Sequence, residues 1–73
     1  MSPTPAYQGT IKIVYVDRGF GFIQRENEPD IFFHHTELDS SLTFTEQLRG
    51  MRVQFDVIDS PKGPKATAVR KAD

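Results

Sequence analysis

The stretch from Gly19 to His34 carries aromatic side chains on both faces of two strand-like segments, and this limits the fold more than any other feature. Gly19-Phe20-Gly21-Phe22-Ile23-Gln24-Arg25 alternates glycine with phenylalanine at its start. Neighbouring residues of a strand point to opposite faces, so Phe20, Phe22 and Gln24 share one side and Gly19, Gly21 and Ile23 the other. In Asp30-Ile31-Phe32-Phe33-His34, Ile31 and Phe33 share a side opposite to Phe32 and His34. A chain of 73 residues holds a single core. It cannot bury both faces of both strands, so one set of rings faces water. Histidine is exposed more often than isoleucine or phenylalanine, which puts Phe32 and His34 outside and Ile31 and Phe33 inside. Phe20 and Phe22 alone fit either the core or the surface. If the two strands pair with outward faces matched, Phe20, Phe22, Phe32 and His34 form one exposed cluster. The glycines then line a tightly coiled inner face.

The remaining segments complete a set of five strands. Residues 9–17 are β-branched and aromatic, and Asp17-Arg18-Gly19 is a turn. Glu26-Asn27-Glu28-Pro29 is a polar loop. Residues 35–49 lack strand alternation, and Thr43 with Glu46 has the spacing of a capping box for a short helical turn stopped at Gly50. Residues 51–58 alternate, with Met51, Val53, Phe55 and Val57 on one face. Asp59-Ser60-Pro61-Lys62-Gly63-Pro64 is a strong turn signal, followed by a weak strand over 65–71 with Val69 inward. Five short strands are too few for an immunoglobulin-type sandwich, which needs about seven. A small closed barrel hides its strand edges and is the economical alternative. Residues 1–8, with two prolines and no period, are expected to be a flexible tail before a domain over 9–71.

Composition excludes several classes. There is no cysteine, so disulfides and thiolate metal sites are out. His34 and His35 are neighbours and on a strand would point to opposite faces, so no metal site is expected. No cofactor is expected either. No apolar run is long enough to span a membrane, and the start has no signal-peptide pattern, so the expectation is a cytoplasmic protein that contacts no membrane. No pair of carboxylates, and no serine, stands in a catalytic arrangement, so an enzyme is not expected. Net charge is −1, which at first argues against nucleic acid. The charge is unevenly spread, however: residues 24–47 carry a net −5 and residues 60–73 a net +3.

Arg18-Gly19-Phe20-Gly21-Phe22-Ile23 matches an RNP1-type run, and Asp30-Ile31-Phe32-Phe33-His34 resembles the second such run of the cold-shock domain. The order and spacing of these runs, and Gly63-Pro64 before the last strand, extend the resemblance over residues 9 to about 70. It implies an all-β, five-stranded antiparallel barrel of the OB type that binds single-stranded RNA or DNA. Position by position, the resemblance implies that Phe20, Phe22 and Phe32 stack on bases and that His34 binds with them. His35 occupies the place of a further aromatic, Phe44 that of a loop aromatic, and Lys12, Arg18 and Lys62 the basic positions. For Phe44 a loop anchor packed on the barrel is an equal reading.

One departure is informative. Bacterial relatives usually carry Lys-Trp-Phe-Asn in the first strand, where this chain has Lys12-Ile13-Val14-Tyr15. Strict alternation puts Ile11, Ile13 and Tyr15 on one face, whereas the family places position 13 on the binding face and position 11 in the core. A bulge or strong twist would reconcile the two; alternatively Tyr15 supplies a substitute ring. The run from Ile31 to Glu37 also resembles the repeated cold-shock domains of eukaryotic RNA-binding proteins. The expected function is binding of single-stranded, pyrimidine-rich nucleic acid by a monomer or weak dimer, with RNA chaperone activity as one role. The alternative is a protein-interaction or self-association barrel using the same aromatic patch.

Overall fold

Alternating apolar residues build five strands in the computed structural model, which describes residues 7–72. The strands are β1 (Tyr7–Tyr15), β2 (Phe20–Arg25), β3 (Glu28–His34), β4 (Arg52–Ser60) and β5 (Gly63–Lys71). They close into a barrel in the order β1-β2-β3-β5-β4. Four pairings are antiparallel, as expected, and the closing pairing of β3 with β5 is parallel, with Phe32 opposite Lys65. Tyr7 and Gln8, expected in the tail, begin β1 and pair with Phe55 and Gln54 of β4. The rest of the expected tail, residues 1–6, lies outside the described residues.

The barrel interior is wholly apolar. Ile11, Val14, Ile23, Ile31, Phe33, Val53, Phe55, Ala66 and Val69 are buried there together with Leu48. Fully burying a side chain such as Phe33 or Phe55 contributes about 1.5–3 kcal/mol. Ile31 and Phe33 are thus inside as expected, and the matched pairing of β2 with β3 sets Phe20 opposite His34 and Phe22 opposite Phe32.

Two strands break strict alternation, and each does so at an irregularity in pairing. In β1 the register shifts between Ile11 and Ile13, with Lys12 as the extra residue. Ile11 and Val14, three apart, therefore both face the core, while Ile13 and Tyr15 stay on the outer side. Ile11 there exchanges backbone hydrogen bonds with the approach to β4: its N–H donates to Met51 O, and its carbonyl accepts from Gly50 N–H. In β5, Ala68 takes a φ of 51°, and pairing with β4 shifts between Gln54 and Asp56. Ala66 and Val69, again three apart, both point inward.

Between β3 and β4 the chain makes two single turns of 3-10 helix, His35–Glu37 and Glu46–Leu48. The second starts at Thr45, whose hydroxyl accepts from Gln47 N–H, so the cap is Thr45 and not Thr43. Thr45 wins because the turn is only three residues long, too short for a capping box begun at Thr43. Gly19 was expected both as the end of the Asp17-Arg18-Gly19 turn and as the first inward residue of β2. The turn reading holds: it lies in the β1–β2 turn, before β2 begins at Phe20, with a φ of +82°, a conformation that favours glycine.

Gly21 faces inward, where a Cβ would come within 2.5 Å of the Ile13 carbonyl oxygen and 2.8 Å of the Phe33 ring. Neither neighbour has room to retreat, so Gly21→Ala is expected to lower stability by about 1–3 kcal/mol, read as a shift in the denaturant unfolding midpoint. An unchanged midpoint would show that β1 and β2 can separate freely.

Candidate nucleic-acid interface

The outer surface of β1, β2 and β3 presents its side chains in two cross-strand rows. One row runs Tyr15–Phe20–His34; the other runs Ile13–Phe22–Phe32 and continues to Lys65 across the parallel pairing. The phenylalanine rings touch one another. Phe20 lies 5.5 Å from Phe32 and 6.0 Å from Phe22, and Phe22 lies 6.1 Å from Phe32, centroid to centroid. Tyr15 sits 5.0 Å from Phe20 on its other side. The Phe rings are half-buried by one another and keep one side open. Phe20 and Phe22, which alone fitted either side, face outward, and the core is filled from the opposite face.

His34 ends β3 at the margin of the platform. Its Nδ1 accepts from Thr36 N–H at 3.3 Å and lies 2.8 Å from the Thr36 hydroxyl. An Nδ1 that accepts leaves the proton of the neutral ring on Nε2. His35, expected on the opposite face, is not there. It begins the 3-10 turn, where strand alternation no longer applies, and its ring lies 4.6 Å from that of His34. The turn is held by the His35 N–H donating to Gly19 O. Among the described residues no group of three or more His, Cys, Asp or Glu side chains is placed to hold a metal ion.

Phe44 serves chiefly as an anchor. Its ring meets the buried Phe33 edge-on at 6.3 Å and lies 5.6 Å from His35. It is half-buried, packed against the core, and so joins the loop to the barrel while supporting His35.

The basic positions differ in availability. Lys12, at the bulge, pairs with Asp30 at 3.1 Å, and both groups are largely exposed. Arg18 is exposed in the β1–β2 turn. Lys62, in the turn between β4 and β5, and Lys65 line an apolar groove of about 510 Å³ together with Phe22, Phe32, Ser60 and Pro61. Among the described residues neither lysine lies within ion-pair distance of a carboxylate. Lys65 was not singled out in the sequence, because only the parallel β3–β5 pairing brings it beside Phe32. A second groove, of about 420 Å³ near Gln8, Gln24 and Glu26, is polar and contains no ring. Its two arginines are engaged, Arg25 with Glu28 and the Pro29 carbonyl, and Arg52 with Gln8.

An open row of rings on a small barrel, edged by free lysines, is the surface on which single-stranded nucleic acid stacks. Comparison with known proteins gives the same class. The family model described as "'Cold-shock' DNA-binding domain" matches residues 7–72. The chain is 45% identical over 64 residues to probable cold shock protein A of Mycolicibacterium smegmatis, covering 86% of this chain and 94% of that protein. It is 42% identical over 65 residues to cold shock protein CspC of Bacillus subtilis, covering 89% and 97%. A solved structure titled "drosophila Unr CSD456" superposes with a TM-score of 0.72 at 30% identity, over 92% of this chain and 26% of that longer one. The chain belongs to the cold-shock domain family and is a nucleic-acid-binding barrel. No helix among the described residues is long and apolar enough to cross a membrane.

Two outcomes test the loop that carries His35. Phe44→Ala is expected to cost about 1–3 kcal/mol of stability, measured by denaturant unfolding, because it uncovers part of Phe33. A loss of binding at unchanged stability would move Phe44 from anchor to base contact. Further along, Asp39 accepts from both the hydroxyl and the N–H of Ser41, which holds its carboxyl below the ordinary carboxylate range. A lowered folded-state value stabilises the fold above the ordinary Asp range, and this is lost as pH falls through the folded value. Ser41→Ala is expected to raise the Asp39 titration midpoint, followed by carboxyl-carbon NMR; an unmoved midpoint would remove Ser41 as the cause.

Proposed function

We propose that this protein binds short single-stranded, pyrimidine-rich RNA or DNA by stacking successive bases on Phe20, Phe22, Phe32 and His34. His35, supported by Phe44, extends the surface at the end of β3, and Lys12, Arg18, Lys62 and Lys65 meet the phosphates. The observation that carries the reading is the single contiguous layer of outward rings, which the barrel has no internal use for. Stacking accepts any base through its π-face and contributes about 1–3 kcal/mol per base. Preferences for pyrimidine runs then come from stacking strength and backbone flexibility, without hydrogen-bond readout. A binder of this kind covers exposed bases without selecting one sequence. That is the behaviour of an RNA chaperone acting as a monomer in the cytoplasm.

A dye-labelled thymine hexamer titrated by fluorescence anisotropy at two salt concentrations tests this. Phe20→Ala and Phe32→Ala are each expected to weaken binding about 5- to 150-fold with the far-ultraviolet circular dichroism unchanged. Lys62→Ala is expected to make the log–log salt slope shallower by about 0.7, the effect of one phosphate contact on a single strand. Affinity as tight as the parent's in both phenylalanine variants would sink the reading. Concentration-dependent dimerisation with no salt-dependent binding would assign the face to self-association instead.

A further inference from the structure

Tyr15 faces outward and takes no part in the core. The residue keeps 37% of its surface exposed, and its ring lies 5.0 Å from that of Phe20, tilted 43° to it. That is closer than any contact among Phe20, Phe22 and Phe32. Its backbone is fixed by the turn that follows, because the Tyr15 carbonyl accepts from both Arg18 N–H and Gly19 N–H.

The bulge at Lys12 decides which β1 side chain meets which row. It sets Ile13 against Phe22 and Tyr15 against Phe20. The Phe22–Phe32 row therefore ends on β1 in an aliphatic side chain, which has no flat face to offer a base. The Phe20–His34 row ends in a ring. The stacking surface is thus lopsided, reaching across β1 only at the end where β1 turns into β2. Arg18 stands exposed in that turn, three residues beyond Tyr15, where a phosphate flanking a base on Tyr15 would pass. Tyrosine also suits the position energetically: it is a rigid amphipathic ring with two side-chain torsions to immobilise, and its hydroxyl tolerates water.

We infer that Tyr15 is a nucleobase-stacking residue, the terminal platform of the Tyr15–Phe20–His34 row, so that the bound strand crosses β1 beside Tyr15 and not over Ile13. This rests on the stacking function proposed above and specifies its path.

The experiment uses the same labelled thymine hexamer with the parent, Tyr15→Ala, Tyr15→Phe, Ile13→Ala and Phe32→Ala. Tyr15→Ala is expected to weaken binding about 5- to 150-fold, Tyr15→Phe and Ile13→Ala by less than about threefold. A second measurement leaves Tyr15 in place. The chain has two tyrosines and no tryptophan, so Tyr7→Phe makes Tyr15 the sole emitter above phenylalanine. Its fluorescence is expected to be quenched in step with hexamer binding. If Tyr15→Ala binds like the parent, or emission from Tyr15 is unmoved at saturation, the inference is overturned while the function stands on Phe32→Ala. A Tyr15→Phe variant as weak as Tyr15→Ala overturns the stacking role in favour of the hydroxyl. Failure of the parent to bind, or a Phe32→Ala variant as tight as the parent, removes both.

Discussion

The ring of Phe33 is completely buried, and its edge lies over Gly21 so closely that a methyl group there would meet it at 2.8 Å. This contact joins β2 to β3 from inside the barrel. It requires glycine on the inward side of β2, and it requires Gly21 to stand opposite Phe33, which is the observed register. A slip of one residue would turn every side chain of one strand to the other face. The outward rings are then where they are because Phe33 is where it is: Phe20 must face His34, and Phe22 must face Phe32. A binding surface has been obtained from a packing requirement, with no separate element devoted to holding it.

The first strand solves a different problem. It lies beside β2 and β4 and must bury Ile11 and Val14 while still adding to the outer surface. Uniform alternation cannot do both, since residues three apart fall on opposite faces. One extra residue at Lys12 does. The bulge also gives the Ile11 backbone its partners at Gly50 and Met51, which brings in the segment leading to β4. The same local irregularity that closes the core therefore fixes which β1 side chains stand beside Phe22 and Phe20.

How much of this is legible in the sequence follows from the same physics. Where alternation is strict, as in Phe20–Ile23, Ile31–His34 and Val53–Phe55, the residues that share a face can be read directly, but which face of β2 points outward follows only once its pairing with β3 is fixed. Where the backbone departs from a flat strand, they cannot. Ile11 with Val14 and Ala66 with Val69 look irregular because each pair spans a bulge, and a bulge has no residue signature as plain as a turn's. His35 escapes for a related reason: at a strand's last residue the side-chain period ends, so neighbours in sequence became neighbours in space. The Thr45 cap was missed because Thr43 and Thr45 both precede the short turn, and only the hydrogen bond to Gln47 chooses between them. Lys65 needed topology, since its place beside Phe32 exists only through the parallel pairing that closes the barrel.

Net charge is a poor guide to this surface. The overall value of −1 is a sum over regions that do not share a face. Arg25 is paired with Glu28 and Arg49 with Glu46, while Lys12 shares an exposed ion pair with Asp30 that a phosphate could replace. Lys62 and Lys65 flank the Phe22–Phe32 groove, while Glu26 lies in the turn between β2 and β3 and Glu28 at the start of β3, outside that groove's lining. Coulombic attraction between exposed charges fades over about 8 Å at physiological salt, so the local arrangement governs more than the overall sum. On the proposed reading, few phosphate contacts leave electrostatics to steer and register the strand, and affinity rests on the rings. Adding a ring to such a surface therefore changes binding more than adding a charge. A chain with an isoleucine between its bulge and its last outward residue has its natural place for that ring at Tyr15.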